Sequence, residues 1–249
     1  MTDKQQGPWE ITLSGEEFER LKQDERFWAV LTLARTVNAL RFVQVAGISE
    51  EDTPSAQRQR MNSFLFLGAI LYEGLLFARS LGEHFSEVPE FKEGFGRLFE
   101  DKAVLSFSDN TLRKLRKKFV FHFDKDMAPE AIRGRDLSRY AFASGTDRQT
   151  GNAHYRLADV ASLYYLFGED EGDCEGDLQA WLGDVIRKTT DLSGRFGKAA
   201  EELIAAAMKR LGAGALKFKD QTAGGTAMEA GVADHVWTMA EIVALADAH

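Results

Sequence analysis

Apolar residues recur at intervals of three and four through most of the chain, which is the period of an amphipathic α-helix. Ser14 and Glu17 have the spacing of a capping box, and the apolar pattern that follows predicts a helix that continues to Ala46. Pro54 suits the first position of a helix, and the pattern after it predicts a second long helix to about His84. Two long helices are therefore predicted for the first third of the chain.

The same period predicts several further helices. A short helix covers residues 89–100, and the next begins at Ser108 or Asp109, either of which can cap it, and ends near His122. A third long helix begins near Asp177. The scaffold is therefore expected to consist of long helices packed against one another.

The period changes between residues 137 and 156, where Tyr140 and Phe142 alternate with alanines ahead of a turn that glycines flank. This pattern predicts a β-hairpin inserted into a helical scaffold. The fold class that we predict is all-α, an up-and-down bundle of long helices over residues 9–212 with the small β-hairpin insertion at 137–156. Residues 213–249 are predicted to form a mobile linker and a C-terminal helix.

Composition and charge narrow the class of protein. The 249 residues carry a net charge of −8 and one cysteine, so we expect no internal disulfide and no general coating of nucleic acid by the whole surface, and we predict no DNA partner. The N-terminus lacks an apolar signal core, and the longest apolar run, Phe64–Tyr72, is too short to span a bilayer. We therefore expect a cytoplasmic protein without membrane contact.

Common catalytic and cofactor motifs are absent from the sequence. It contains no glycine-rich phosphate loop, no nucleophile elbow and no dinucleotide-binding fingerprint. His84 and His154 have no second ligand at the spacing of a known metal site. We therefore predict no cofactor and no metal.

A basic segment, residues Arg113 to Lys118, is the feature that points to chemistry. Five of its six residues are arginine or lysine, which favours a phosphate-bearing ligand. His122 follows Arg116 after five residues, and this pair suits RNA cleavage without a metal: the imidazole transfers a proton at a ribose 2′-hydroxyl while the guanidinium neutralises the phosphate. The alternative interpretation is a solvated helix end, where the helix dipole favours cations.

The stretch from Arg116 to His122, at a helix end rich in phenylalanine, resembles the Arg-x4-6-His motif of the HEPN superfamily. The resemblance implies an α-helical bundle that usually forms homodimers and in many members cleaves RNA without a metal, in toxin, antiphage or RNA-processing systems. By position it implies that Arg116 and His122 are catalytic and that Glu73, on the second long helix, supports the arginine. Arg41 or Arg79 could equally pair with Glu73.

The resemblance leaves two functions open. In the first, the chain is a metal-independent endoribonuclease whose RNA-binding residues are the other cations of the basic segment, Arg113, Lys114, Lys117 and Lys118. In the second, it is a non-catalytic helical dimer that acts as a protein-interaction or ligand-sensing module. Active members often have Asn, Asp or His after the arginine, where this chain has Lys117, and this difference favours the second function.

Overall fold

We describe the chain from a computed structural model. The structure describes residues 9–48, 53–120, 132–133, 142–143, 154–167, 175–214 and 217–218. These residues are mostly helical, which confirms the all-α class. The HEPN-like arrangement of the helices remains a prediction.

The N-terminal helical region begins with the predicted capping box. The Ser14 hydroxyl accepts a hydrogen bond from the backbone N–H of Glu17 at 3.2 Å, and the Glu17 carboxylate accepts one from the backbone N–H of Ser14 at 2.6 Å. These bonds satisfy two N–H groups that the first helical turn leaves without a backbone acceptor. Helix α1 (Gly15–Leu21) follows directly.

Helix α2 (Glu25–Ala46) is separate from α1, so the prediction of one helix from Ser14 to Ala46 is wrong. The cause is Asp24, whose carboxylate accepts a hydrogen bond from the backbone N–H of Arg26 at 2.9 Å and so caps a new helix. The hydrophobic period continues through this break, which is why the pattern alone did not predict it.

The predicted second long helix is confirmed as α3 (Pro54–Ser80), followed by the single turn α4 (Gly82–Phe85). Proline occupies the first helical position, and the Thr53 hydroxyl accepts a hydrogen bond from the backbone N–H of Ala56 at 3.2 Å. The Gln59 amide donates a hydrogen bond to the Ala46 carbonyl oxygen at 2.6 Å and so joins α3 to the end of α2.

The short helix predicted over residues 89–100 is present in three parts: α5 (Pro89–Phe91), the π-helical turn π1 (Lys92–Gly96) and α6 (Arg97–Glu100). Asp101 has an extended backbone, with φ −75° and ψ 104°, and ends this helix. Its carboxylate accepts a hydrogen bond from Arg195 at 3.1 Å.

The next helix contains α7 (Lys102–Phe107) and two π-helical turns, π2 (Ser108–Leu112) and π3 (Leu115–Val120). The predicted start at Ser108 or Asp109 is wrong, because the helix begins directly after the extended residue Asp101 and Ser108 is buried inside it. Its predicted end near His122 lies outside the described residues.

Two later helices follow, α8 (Arg156–Phe167) and α9 (Glu175–Arg210), and α9 confirms the predicted third long helix. Two antiparallel strand pairs accompany them: β1 (Trp9–Glu10) pairs with β4 (Lys217–Phe218), and β2 (Phe142–Ala143) pairs with β3 (His154–Tyr155). Most of the predicted hairpin, 137–156, lies outside the described residues, and the hairpin remains a prediction.

The chain forms two compact units. Of the described residues, the first unit takes those up to Ala39, those in Glu73–Lys102 and those from Ser193 onward. Phe95 and Phe196 are fully buried at its centre, with ring centroids 5.3 Å apart and planes at 67°. Such an edge-to-face pair adds to the stability that burial of the two rings supplies.

Hydrogen bonds to side chains of α1 hold the chain that follows α9, within the first unit. The Arg20 guanidinium donates hydrogen bonds to the carbonyl oxygens of Leu211 at 2.8 Å and Gly212 at 3.0 Å, and the Glu17 carboxylate accepts one from the backbone N–H of Gly214 at 2.8 Å. We predicted a mobile linker from residue 213, but Ala213 is buried and strand β4 is paired. Residues 219–249 lie outside the described part of the chain, and the domain boundary at 212 remains a prediction.

The second unit contains Leu40–Tyr72 and the described residues of Ala103–Leu192. Its core is a cluster of buried side chains from α3 and α9, namely Phe64, Leu182, Val185 and Ile186. Partly buried side chains surround that cluster, among them Phe107 from α7 and Leu163 from α8. This unit carries the basic segment.

Among the described helices, α3 has one stretch, Arg58–Ser80, that is long and apolar enough to cross a membrane. Most of its apolar window, 61%, is buried inside the structure. A core helix passes the same test of length and composition, so the expectation of no membrane contact remains a prediction.

Candidate nucleic-acid interface

Two leucines hold the basic segment against α3. Leu112 and Leu115 are fully buried and three residues apart, so both side chains lie on one side of the helix. Gly68 allows their close approach: a Cβ atom at this position would lie 2.5 Å from Leu115 Cδ1 and 3.5 Å from Leu112 Cδ2. The packing of the two leucines therefore determines which side of the basic segment faces the core.

The cations of the basic segment differ in exposure. Arg113, Lys114 and Lys117 are exposed, whereas Arg116 and Lys118 are half-buried. Within the described ranges, none of the three exposed cations forms an ion pair. Their charges are therefore available to an anionic ligand.

The backbone of the basic segment departs from an ideal α-helix. The turns π2 and π3 lie on either side of Arg113 and Lys114, and π3 contains Arg116. A π-helical turn closes its hydrogen bond one residue further along the chain than an α-helical turn, and such turns often occur at functional sites. The rotation between side chains that an ideal α-helix predicts therefore does not apply from Leu115 onward.

Of the two residues predicted to act with Arg116, the structure describes Glu73 but not His122. His122 lies outside the described residues, so the meeting of the imidazole and the guanidinium remains a prediction. Glu73 is exposed on α3 and belongs to the first unit, whereas Arg116 belongs to the second. The pairing of Glu73 with Arg116 therefore also remains a prediction.

Metal-ligating side chains do not gather in the part of the chain that the structure describes. No group of three or more histidine, cysteine, aspartate or glutamate residues there could hold a metal ion. The basic segment itself offers guanidinium and ammonium groups.

An exposed apolar face on α2 was missed by the sequence analysis. A phenylalanine in an amphipathic helix is usually a core residue, yet Phe42 is 74% exposed. Trp28, Leu31 and Val45 are also exposed on this helix, while Leu33 and Leu40 are buried. The signal in the sequence is that α2 is apolar on more than one side, which a helix with a single buried face does not require.

Comparison of the chain with protein-family models, with curated proteins and with solved structures finds no match.

Proposed function

We propose that the chain is an RNA-binding protein that cuts RNA without a metal, as a divergent endoribonuclease of HEPN type. The observation that carries the proposal is the exposure of Arg113, Lys114 and Lys117 on one short helical stretch, with no ion pair to another described residue. A phosphodiester backbone is the common cellular ligand that presents negative charges at such spacing.

The proposed chemistry uses Arg116 and His122. His122 accepts the proton of a ribose 2′-hydroxyl, whose oxygen attacks the adjacent phosphorus as the bond to the 5′-oxygen breaks. Arg116 stabilises the negative charge that develops on the phosphate oxygens. The leaving 5′-oxygen takes a proton from solvent, and the protonated imidazole of His122 then returns its proton to solvent. The products carry a 2′,3′-cyclic phosphate and a 5′-hydroxyl. Glu73 is the proposed support for Arg116.

RNA cleavage in excess EDTA tests the catalytic part of the proposal. We expect the wild-type protein to cut a mixed single-stranded RNA, and the variants His122→Ala and Arg116→Ala to lose at least about 100-fold in rate, as general acid–base groups typically contribute. Lys198→Ala, which removes an exposed cation from α9, is the matched control and should leave the rate unchanged. A substrate with a 2′-deoxyribose at each position should resist cleavage.

RNA binding tests the remaining part separately. Fluorescence anisotropy of a labelled RNA should show weaker binding for Lys114→Glu and Lys117→Glu, while Lys198→Glu should bind like the wild type. Equal affinity of all four proteins would refute the basic segment as an RNA-binding surface. Binding that depends on these lysines, without any cleavage, would refute the nuclease alone.

The exposed apolar face of α2 favours a second candidate, a non-catalytic helical module that binds other proteins. Exposed residues such as Phe42 and Trp28 are unusual on a chain that acts alone. Under this second function the basic segment is a solvated helix surface. An inert wild-type protein whose affinity for RNA does not depend on Lys114 or Lys117 would support it.

A further inference from the structure

The exposed side of the helix that carries the basic segment begins ahead of that segment. Its exposed polar positions recur at intervals of three and four residues and are Ser106, Asp109, Asn110, Arg113, Lys114 and Lys117. Residues at these intervals share one side of a helix. All of them belong to the second unit. From Ser106 to Lys117 the distance is about 16 Å, at about 1.5 Å per residue, so one extended ligand can contact both ends.

Charge is unevenly distributed along this exposed side. The three exposed cations lie at its C-terminal end, whereas its N-terminal end carries one carboxylate, Asp109, and two neutral side chains, Ser106 and Asn110. Asp109 forms no ion pair with another described residue. Phosphate groups are attracted to cations and repelled by a carboxylate. An RNA strand that binds here therefore places its phosphates on the cations and a different group near Asp109 and Asn110.

The side chain of Asn110 is held by a residue one helical turn earlier. Its Nδ2 donates a hydrogen bond to Ser106 Oγ at 3.2 Å. An asparagine amide has two N–H donors and one acceptor oxygen, so this bond leaves one N–H and the oxygen. The amide forms no other hydrogen bond with a described residue. Asn110 therefore offers solvent a donor and an acceptor side by side, on a side chain whose orientation is restrained.

A nucleobase edge can pair with such a donor and acceptor. Adenine has a complementary pair on two edges, the N6 amino group with N1 and the same amino group with N7, and an asparagine amide binds N6 and N7 in a bidentate way. Guanine has two acceptors, N7 and O6, on the second of these edges. Unpaired bases in single-stranded RNA leave both edges open to a protein. The amide of Asn110 therefore matches adenine in more ways than it matches guanine.

Asp109 narrows the choice of base further. An ionised carboxylate only accepts hydrogen bonds. The amino groups of adenine and cytosine are donors, whereas O6 of guanine and the corresponding O4 of uracil are acceptors, which a neighbouring carboxylate repels. Asp109 therefore favours adenine and cytosine over guanine and uracil, and Asn110 favours adenine among the purines.

We propose that Asn110, oriented by Ser106 and adjacent to Asp109, contacts an unpaired adenine of the RNA whose phosphates bind the basic segment. The substrate class is then single-stranded RNA that contains adenine. Asn110 is the residue that contacts the base, and Ser106 is a positioning residue. This inference rests on the RNA binding of the proposed function but not on cleavage, since it uses neither Arg116 nor His122.

Base preference can be measured with 2′-O-methyl oligonucleotides of equal length and one base type each, which lack the attacking hydroxyl and cannot be cut. By fluorescence anisotropy, the wild-type protein should bind the adenine oligonucleotide about fivefold or more tightly than the uracil one, with cytosine between them. Asn110→Ala should abolish this ratio without changing the affinity for the uracil oligonucleotide. Ser106→Ala should lower the ratio by a smaller factor, because the amide remains but is no longer held.

Asn62→Ala is the matched control. Asn62 is exposed on α3 in the second unit, and its amide also donates a hydrogen bond within its own helix, to the Arg58 carbonyl oxygen at 3.0 Å. This variant should keep the wild-type ratio, and Lys117→Glu should weaken the binding of every oligonucleotide by the same factor.

The outcomes separate this inference from the proposed function. A ratio that Asn110→Ala leaves unchanged, in a protein whose RNA binding depends on Lys117, overturns the base contact and leaves the RNA-binding surface intact. A ratio that Asn62→Ala lowers as much as Asn110→Ala also overturns the base contact. Absence of binding to these oligonucleotides and to unmodified RNA refutes both proposals.

Discussion

Leu115 packs directly on the backbone of Gly68, so closely that a Cβ atom on residue 68 would lie 2.5 Å from Leu115 Cδ1. Leu115 is fully buried, and its neighbour in sequence is Arg116. The approach of the helix that carries the basic segment to α3 therefore depends on the absence of a side chain at one position of α3.

Substitution of this glycine should destabilise the protein. In Gly68→Ala the added methyl group forces Leu115 to move within a packed core, which costs about 1–3 kcal/mol of unfolding free energy. Urea unfolding at equilibrium measures the loss. Gly194→Ala is the matched control: no atom lies within 4 Å of its Cβ position on α9, so this change should raise helix stability by up to about 1 kcal/mol. Equal stability of the two variants would contradict the close approach.

The aromatic centre of the first unit should be the costliest place to remove a side chain. Phe196→Ala empties a fully buried position that faces Phe95 edge to face, and we expect a loss of about 3–5 kcal/mol of unfolding free energy. Phe66→Ala truncates the same residue type at a site on α3 that is 44% exposed, and should cost far less. Thermal unfolding followed by circular dichroism compares the two.

The hydrogen bonds from Arg20 should slow amide hydrogen exchange at the end of α9. Arg20→Met keeps much of the side-chain volume but removes the two hydrogen bonds to the Leu211 and Gly212 carbonyl oxygens, at a cost of about 1 kcal/mol. Amide hydrogen exchange should become faster at the end of α9. Unchanged exchange rates there, or a uniform rise of the exchange rates across the whole chain, would contradict a local stabilisation by the Arg20 hydrogen bonds.

Stability should depend on pH through Glu17. Hydrogen bonds from the backbone N–H groups of Ser14 and Gly214 lower the pKa of the Glu17 carboxyl below its ordinary value of 4.5. Because the pKa is lower in the folded state, the stabilisation is complete above the unfolded-state pKa and is lost as the pH falls through the folded-state value.

The variant Glu17→Gln isolates this contribution. It cannot titrate, so its deficit in unfolding free energy relative to the wild type should be largest near neutral pH and should shrink as the pH falls below about 4.5. Urea unfolding at a series of pH values measures the difference. A deficit that stays constant down to about pH 3 would show that the charge of Glu17 contributes nothing.

The affinity of the basic segment for RNA should fall with salt concentration, with a slope set by the number of phosphates that its cations contact. Each of Arg113, Lys114 and Lys117 that neutralises a phosphate on a single strand should contribute about −0.7 to the slope of log affinity against log salt concentration. Single substitutions to glutamine at these positions should each make the slope less negative by about that amount. Lys198→Gln should not change it, and a shared slope for all variants would contradict direct phosphate contacts.

Much of the helical scaffold could be predicted from local signals. The capping box at Ser14 and Glu17 and the proline that opens α3 act within one helical turn, and both are present in the structure. The break at Asp24 and the early start of α7 after Asp101 were not predicted. The apolar period continues across the first, and as residue types these two aspartates do not differ from the other acids of the chain. A helix boundary of this kind depends on which side chain accepts a hydrogen bond from a backbone N–H group.

The candidate site could be predicted in composition but not in orientation. The sequence by itself determined that five cations occupy one short stretch, since charge is a property of the residues alone. Only the tertiary structure decided that Leu112 and Leu115 face the core while Arg113, Lys114 and Lys117 face solvent, and that Phe42 is left outside. The reason is that a helical pattern states which residues share a side, whereas the neighbouring helices determine which side is covered.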